Sequence, residues 1–136
     1  MKLSDRKIDT KKREEGAWVK DIPEFLDLEL KVRGAGNKDW AKLEQKLIQA
    51  VPRQRRTNGL EAEDRLRING ILVRDTSLLD WRGIEDDEGK PEPYSKVAAG
   101  KYLTDPQYEA FVYACVWAAN VVAEQGIAEV EQDAKN

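Results

Sequence analysis

The densest group of carboxylates in the chain lies in one short stretch, Asp86-Asp87-Glu88-Gly89. Carboxylate oxygens bind Ca²⁺, and an EF-hand loop needs carboxylates at its first and last positions around a central glycine. With Gly89 as that glycine, Ile84 occupies the first position and Ser95 the last. The pattern therefore predicts a solvated turn rather than a calcium site, and we expect no bound metal.

The side chains that most often carry acid–base and nucleophilic chemistry are nearly absent. The chain has no histidine and a single cysteine, Cys115, which excludes a histidine-dependent triad, a structural zinc site and an internal disulfide. Cys115 falls on an apolar helical stripe beside Val112 and Val116, so we predict a buried thiol. We expect no catalytic residue, no cofactor and no enzymatic activity, although an enzyme that uses only carboxylates, lysine or serine stays open.

One concentrated basic cluster stands between two predicted helices. Such a cluster could follow a phosphate backbone, but no recognition-helix signature or stacking platform accompanies it. A solvated helix junction or a salt-bridged interface patch is the favoured interpretation, and nucleic-acid binding is the alternative. The cluster comprises Arg53, Arg55 and Arg56, with Lys46, Arg65 and Arg67 nearby.

The composition is that of one highly charged domain. Of 136 residues 36% are charged, and 23 Lys and Arg against 26 Asp and Glu leave a net charge of -3. A mildly acidic chain is a poor general binder of nucleic acid. No apolar run approaches the roughly 20 residues of a membrane span, and residues 1–15 lack the apolar segment of a signal peptide. A single cysteine fits a reducing cytoplasm.

Two stretches near the N-terminus have the pattern of strands. Apolar and charged residues alternate strictly from Leu26 to Arg33, which predicts a strand buried on one face. Paired with the apolar segment Ala17 to Ile22, it would form a hairpin over 17–33. An isolated hairpin is marginally stable in water, so it needs a helix over its leucine face or a second chain at its edge.

Four helices are predicted after the hairpin, at about 38–51, 59–75, 95–103 and 106–125. Asn37, Ser95 and Asp105 stand where N-caps belong, and Pro106 suits a first helical turn. The last helix has a wide apolar stripe. The chain is thus expected to be α+β and mainly α, with one compact domain over 16–125 between polar tails at 1–15 and 126–136. The stripe consists of Tyr108, Phe111, Val112, Cys115, Val116, Ala119 and Val122.

The four tryptophans differ in their surroundings. Trp40 and Trp117 fall on the predicted core faces of their helices, and we expect both Trp117 and Phe111 to be buried. Trp81 borders the acidic turn. Trp18 sits in a short arm with little local burial. Ordinary core packing is the favoured interpretation of the four, and an aromatic anchor in a protein–protein contact is the alternative, for Trp18 especially.

An ordered series of short motifs resembles the tail assembly chaperones of long-tailed bacteriophages and prophages. The resemblance covers roughly residues 14–123 and includes no catalytic fingerprint. Its parts are Glu15-Gly16-Ala17-Trp18-Val19, Lys31-Val32-Arg33-Gly34, Asp80-Trp81 followed by Gly83, the acidic turn, Pro93-Tyr94-Ser95 and Leu103-Thr104-Asp105-Pro106.

The resemblance implies a non-enzymatic protein that binds and shields the helical tape measure protein in the bacterial host cytoplasm. The tail tube protein is a second candidate partner, and several copies of the chain are expected to act together. Partner contacts are expected at the hairpin edge and in the groove between the helices that begin near Ser95 and Asp105. The candidate partner-binding residues are Trp18, Leu28, Leu30, Val32, Trp81, Tyr94 and Tyr102; of these, Trp81 and Tyr94 are expected to be structural first.

Three further hypotheses remain open at this stage. A virion structural or head–tail joining protein would share the size and fold class, and a small nucleic-acid-binding regulator would use the cluster from Arg53 to Arg67. The residues Ala134-Lys135-Asn136 also permit codons with a run of adenines, where a ribosomal slip would produce a longer form.

Overall fold

The computed structural model describes residues 1–124, and its helices and small antiparallel sheet confirm the predicted α+β, mainly helical class. The polar tail predicted over 126–136 and the slip hypothesis at 134–136 lie outside the described residues. The helices are α1 (Thr10–Glu15), α2 (Lys38–Ala50), α3 (Ala62–Leu72), α4 (Lys96–Leu103) and α5 (Glu109–Glu124); the strands are β1 (Ala17–Val19), β2 (Glu29–Val32) and β3 (Leu78–Arg82).

The predicted hairpin is part of a three-stranded sheet with the order β1-β2-β3. β1 pairs with β2 through Val19 opposite Leu30, and β2 pairs with β3 through Leu30 opposite Trp81. The sequence pattern did not predict β3, because its short apolar run follows a helix without a clear period. The third strand and the helices behind it supply the cover that an isolated hairpin lacks.

Helix α5 is the central element of the core. Phe111, Cys115 and Ala119 are buried along it, as the stripe predicts. Small residues let other backbone approach closely, and the N–H of Ala35 donates to the carbonyl oxygen of Ala119 at 2.9 Å. None of the helices described in residues 1–124 is long and apolar enough to cross a membrane.

The predicted helix at 59–75 begins later and ends differently. Gly59 has φ +91, which an α-helix does not allow, and α3 starts at Ala62. After Leu72 the chain continues as a π-helical turn, Val73–Ser77. Gly70, within α3, faces the carbonyl oxygen of Leu103 so closely that a Cβ atom would lie 2.0 Å from it. The glycine therefore permits α3 and the end of α4 to pack together.

The first residues of the chain hold more structure than the flexible tail expected over 1–15. Asp9 caps α1 by accepting from the N–H of Lys12 at 3.0 Å. The Arg33 side chain donates to the carbonyl oxygen of Glu14 at 2.6 Å, and the N–H of Lys38 donates to the Glu14 carboxylate at 2.9 Å. Polar bonds rather than apolar burial hold α1, which explains why hydropathy alone suggested a tail.

Asn37 joins α2 to the rest of the fold. Its side-chain oxygen accepts from the N–H groups of Asp39 and Trp40, which confirms the predicted N-cap. Its amide nitrogen donates to the carbonyl oxygens of Gly34 and Thr76, both at 2.9 Å. The side chain is fully buried, and it ties α2, the end of β2 and the π-helical turn together.

Candidate partner-binding surface

Four of the residues predicted to bind a partner are instead part of the protein's own core. Leu28, Leu30, Val32 and Trp81 are buried, because α5 packs on the sheet face to which the alternating leucines point. The leucine face of the hairpin is covered by α5, and of these four side chains Leu28 also lines a cavity beside the β1–β2 loop. The cover is a helix of the same chain, which is one of the two kinds of cover predicted for the hairpin, and partner binding by these residues stays a prediction.

Tyr94 and Tyr102 extend an aromatic cluster around Trp81. The ring centroids of Trp81 and Tyr94 lie 5.2 Å apart, and those of Trp81 and Phe111 6.1 Å apart. The Trp81 Nε1 donates to the carbonyl oxygen of Glu92 at 2.7 Å, and the Tyr94 hydroxyl donates to that of Leu78 at 3.3 Å. Burial raises the pKa of Tyr94, with a further contribution from the Asp80 charge. The motif residues Trp81 and Tyr94 thus hold the fold together.

Tyr102 lies at the border between the aromatic cluster and solvent. Its hydroxyl donates to the Glu92 carboxylate, and this bond, with burial, raises the pKa of Tyr102 to about 12. One ring edge contacts Tyr108, whose centroid lies 4.9 Å away. Of the predicted partner residues, Tyr102 and Leu28 line a cavity.

Trp18 is 37% exposed and stands on the sheet face opposite the core. Its ring is covered by the guanidinium of Arg82, whose Cζ lies 3.9 Å from the ring centroid. Trp18 is therefore a surface aromatic rather than a core residue, and it lies apart from the cavities beside α5.

Trp117 is also at the surface, which contradicts the prediction that it would be buried with Phe111. It is 39% exposed, and Tyr113, one helical turn earlier, is 51% exposed. Because α5 carries apolar residues around most of its circumference, periodicity alone does not separate its buried side from its exposed one. This second apolar side is the feature that sequence reasoning missed.

Two adjacent cavities lie against the β1–β2 loop, residues 20–28, and we call them together the aromatic groove. Opposite the loop, α5 bounds the second, and residues 83–87, Tyr102, Tyr108 and Phe111 bound the first. The first has a volume of about 410 Å³ and the second about 320 Å³. Glu24 and Phe25 line both and divide them. The first is also lined by Leu26, Asp27, Leu28, Gly83, Ile84, Glu85, Asp87, Tyr102, Tyr108 and Phe111, and the second by Ile22, Pro23, Glu109, Ala110, Tyr113, Ala114 and Trp117.

The β1–β2 loop is held in a defined conformation. Ile22 is fully buried and anchors it, and the N–H of Phe25 donates to the carbonyl oxygen of Ile22 at 3.0 Å. Asp21 and Glu24 have φ values of 57 and 69, in the left-handed region that non-glycine residues seldom adopt. Backbone strain of this kind persists where the surrounding structure enforces it, and it is often found at binding sites.

A comparison with known protein families now identifies the chain's relatives. The model of the family described as YdaY prophage protein matches residues 35–136. The chain belongs to this family. No curated protein and no solved structure matches it.

In this YdaY family member the matched region contains α5 and therefore one wall of the aromatic groove. The β1–β2 loop, which forms the opposite wall, precedes the match. Membership shows a phage or prophage protein and leaves its specific role to be argued from the surface.

Most arginines of the basic cluster in this YdaY family member form contacts within the protein itself. Asp64 is buried and forms ion pairs with Arg55 and with Arg67, the latter at 3.5 Å. Arg65 pairs with Glu44 at 3.6 Å, and Arg56 donates to the carbonyl oxygen of Val51 at 2.8 Å. These contacts fit the predicted salt-bridged junction, and nucleic-acid binding by the cluster stays the alternative hypothesis.

Proposed function

We propose that this protein is a non-enzymatic phage tail assembly chaperone, which binds an amphipathic helical segment of the tape measure protein in the host cytoplasm. Family membership supports a phage or prophage protein. The motif resemblance described above favours a tail assembly chaperone. The observation that carries the proposal is the aromatic groove, an exposed apolar surface beside the main core helix.

The groove has the chemistry that shielding an apolar helix needs. Tyr113 and Trp117 project from α5, and Leu26, which is 77% exposed, projects from the β1–β2 loop. Exposed apolar side chains grouped at one place are a feature of interaction sites. Aromatic side chains bury large areas at low entropic cost and dominate contact energies.

The dimensions also suit a helix. Glu109 to Trp117 spans roughly 12 Å along α5 at a helical rise of about 1.5 Å per residue. That length accepts about two turns of a partner helix, which would place apolar residues at i, i+3, i+4 and i+7 into the two cavities. Phe25 would lie between successive turns of that helix.

Self-association is a further part of the proposal, and it is now confined to the sheet edge. Because the leucine face is buried internally, we place the second copy at β1, the strand of the predicted hairpin that is an edge of the described sheet. Several copies along one tape measure protein would suit its length.

Co-expression with the tape measure protein of the same prophage tests the function. The wild-type chain should keep the tape measure protein soluble and co-purify with it. The double substitution Tyr113→Ala and Trp117→Ala should reduce co-purification at least about tenfold, because it removes two exposed aromatic anchors.

Val97→Ala is the matched control, since Val97 is 85% exposed on α4 and lines neither cavity. Equal co-purification of the double variant and the wild type would contradict the groove as the binding site. The chain's presence in purified virions would favour a structural or head–tail joining protein instead.

A further inference from the structure

We infer that the aromatic groove selects a cationic amphipathic helix, with Lys or Arg side chains placed over its carboxylate rim. This inference deepens the proposed function, on which it rests for the identity of the partner. Beyond that function, it specifies the charge of the helical segment that the aromatic groove binds.

The charges along the groove are all of one sign. Glu24, Asp27, Glu85 and Asp87 line the first cavity, and Glu109 joins Glu24 in the second. Among the described residues that line either cavity, none is Lys or Arg. The whole chain carries 23 cationic and 26 anionic side chains. Because these numbers are nearly equal, the composition alone does not account for a groove lined by acidic side chains without basic ones.

A third cavity of this protein is lined by both acidic and basic side chains and serves as a comparison. It lies between α3 and the start of α5, has a volume of about 360 Å³, and is lined by Glu63 and Asp105 together with Arg67 and Arg74. Its charges balance, whereas those of the groove do not. The acidic lining is therefore particular to the groove.

The groove carboxylates are also available to an incoming cation. Within residues 1–124, none of the five forms an ion pair with a Lys or Arg of the chain. A helix with uncharged or acidic polar positions would leave these carboxylates unpaired or repelled. A helix with Lys or Arg would pair with them, and this electrostatic complementarity gives specificity.

The aromatic floor suits the same side chains. Lys and Arg lay their methylene stems on apolar surface while their charged heads reach outward, and tyrosine rings attract cations. The ammonium of Lys101 already lies 5.2 Å from the Tyr102 ring centroid. Tyr108, beside Tyr102, offers a further ring inside the first cavity.

Two synthetic amphipathic peptides test the inference on the full-length chain. Each has about 18 residues, roughly 27 Å as a helix, with leucines on one face; one has lysines on the other face and its partner has glutamates. Binding is measured by fluorescence anisotropy of the labelled peptides. The lysine peptide should bind at least about tenfold more tightly, and its advantage should shrink as salt screens the charges. Equal affinities for the two peptides would overturn the inference.

Substitution of the rim carboxylates in the protein tests the inference more directly. Asp27→Asn with Asp87→Asn should weaken the lysine peptide about three- to tenfold, because each exposed charge pair contributes modestly. Neither carboxylate makes a hydrogen bond or ion pair within residues 1–124, so folding should be unaffected. Glu15→Gln with Glu61→Gln removes two exposed carboxylates elsewhere and should change nothing. Equal affinities of the two double variants for the lysine peptide would also refute the inference.

The two proposals can fail separately. If Tyr113→Ala with Trp117→Ala abolishes tape measure binding while the rim substitutions do not, the chaperone function stands and the charge selection is wrong. If the lysine peptide binds in a rim-dependent way while the tape measure protein is not captured, the charge selection stands and the partner is another cationic helix.

Discussion

Gly83 lies against the β1–β2 loop so closely that a Cβ atom at this position would be 2.0 Å from the carbonyl oxygen of Asp27. Its φ of +93 is also one that side chains seldom adopt. The start of the acidic turn and the groove wall are thus packed backbone against backbone. The glycine of the Asp80-Trp81-x-Gly83 motif positions the wall of the groove.

Gly83→Ala should therefore destabilise the fold by at least about 2 kcal/mol, from backbone strain and from displacement of the loop. Gly89→Ala is the control: its φ is +80, but the nearest atom to an added Cβ is a Glu85 carboxylate oxygen at 3.8 Å. It should show the strain alone, about 1 kcal/mol. Chemical denaturation measures both, and equal losses would show that the close approach has no energetic consequence.

Phe111 and Trp117 should respond in opposite ways to truncation. Phe111 is buried in the aromatic cluster, so Phe111→Ala should cost about 3 to 5 kcal/mol of unfolding free energy. Trp117→Ala should cost less than about 1 kcal/mol, because the side chain is half in solvent. A large loss at Trp117 would mean that its ring serves the core rather than a partner.

Leu26 and Val32 belong to one alternating series in the sequence but not to one environment. Val32→Lys should unfold the domain, since it places an unpaired charge in the core. Leu26→Lys should leave the unfolding free energy within about 0.5 kcal/mol of wild type, as expected for a surface position. Circular dichroism during thermal unfolding distinguishes the two, and a folded Val32→Lys variant would contradict the covered hairpin.

The Tyr102–Glu92 hydrogen bond should make stability fall at high pH. Folding raises the pKa of Tyr102 from 10.0 to about 12. The stabilisation that the hydrogen bond gives to the fold is therefore complete below pH 10 and is lost as the pH rises towards 12. Over that range the unfolded chain releases its phenolic proton first. Tyr102→Phe should be less stable than wild type at pH 8 and should lose less stability up to pH 11.5.

Glu92→Gln should weaken the same bond and shift the pH dependence of the wild-type chain towards that of Tyr102→Phe. Denaturant unfolding at each pH provides the measurement. Parallel curves for the wild type and both variants would show that the bond does not control the titration.

The spacing of apolar residues along the chain predicted those elements whose buried face depends on that spacing alone. The alternation at Leu28, Leu30 and Val32 correctly indicated one buried strand face, and the stripe through Phe111 and Cys115 indicated a buried helix face. Leu26 escaped the pattern because β2 begins at Glu29 and the preceding residues turn away as a loop.

The spacing of apolar residues could not predict the aromatic groove, and the reason is physical. Phe25 and Tyr113 are far apart in the chain and meet only because β1, β2 and α5 pack together. The second apolar side of α5 was visible in Tyr113 and Trp117, but apolar residues around a whole helix ordinarily indicate complete burial. β3, which the pattern did not predict, adds a third strand to the hairpin, and α5 provides the helix over its leucine face that was one of the two kinds of cover predicted.

Site-specific cross-linking in a prophage-induced cell tests the central claim most directly. A photo-reactive amino acid replaces Tyr113 in the groove or, as the control, Val97 on α4, and cross-linked proteins are identified by mass spectrometry. We predict that position 113 cross-links to the tape measure protein and that position 97 does not. Cross-links from position 113 solely to capsid, portal or tail tube proteins, or to nothing, would contradict the account.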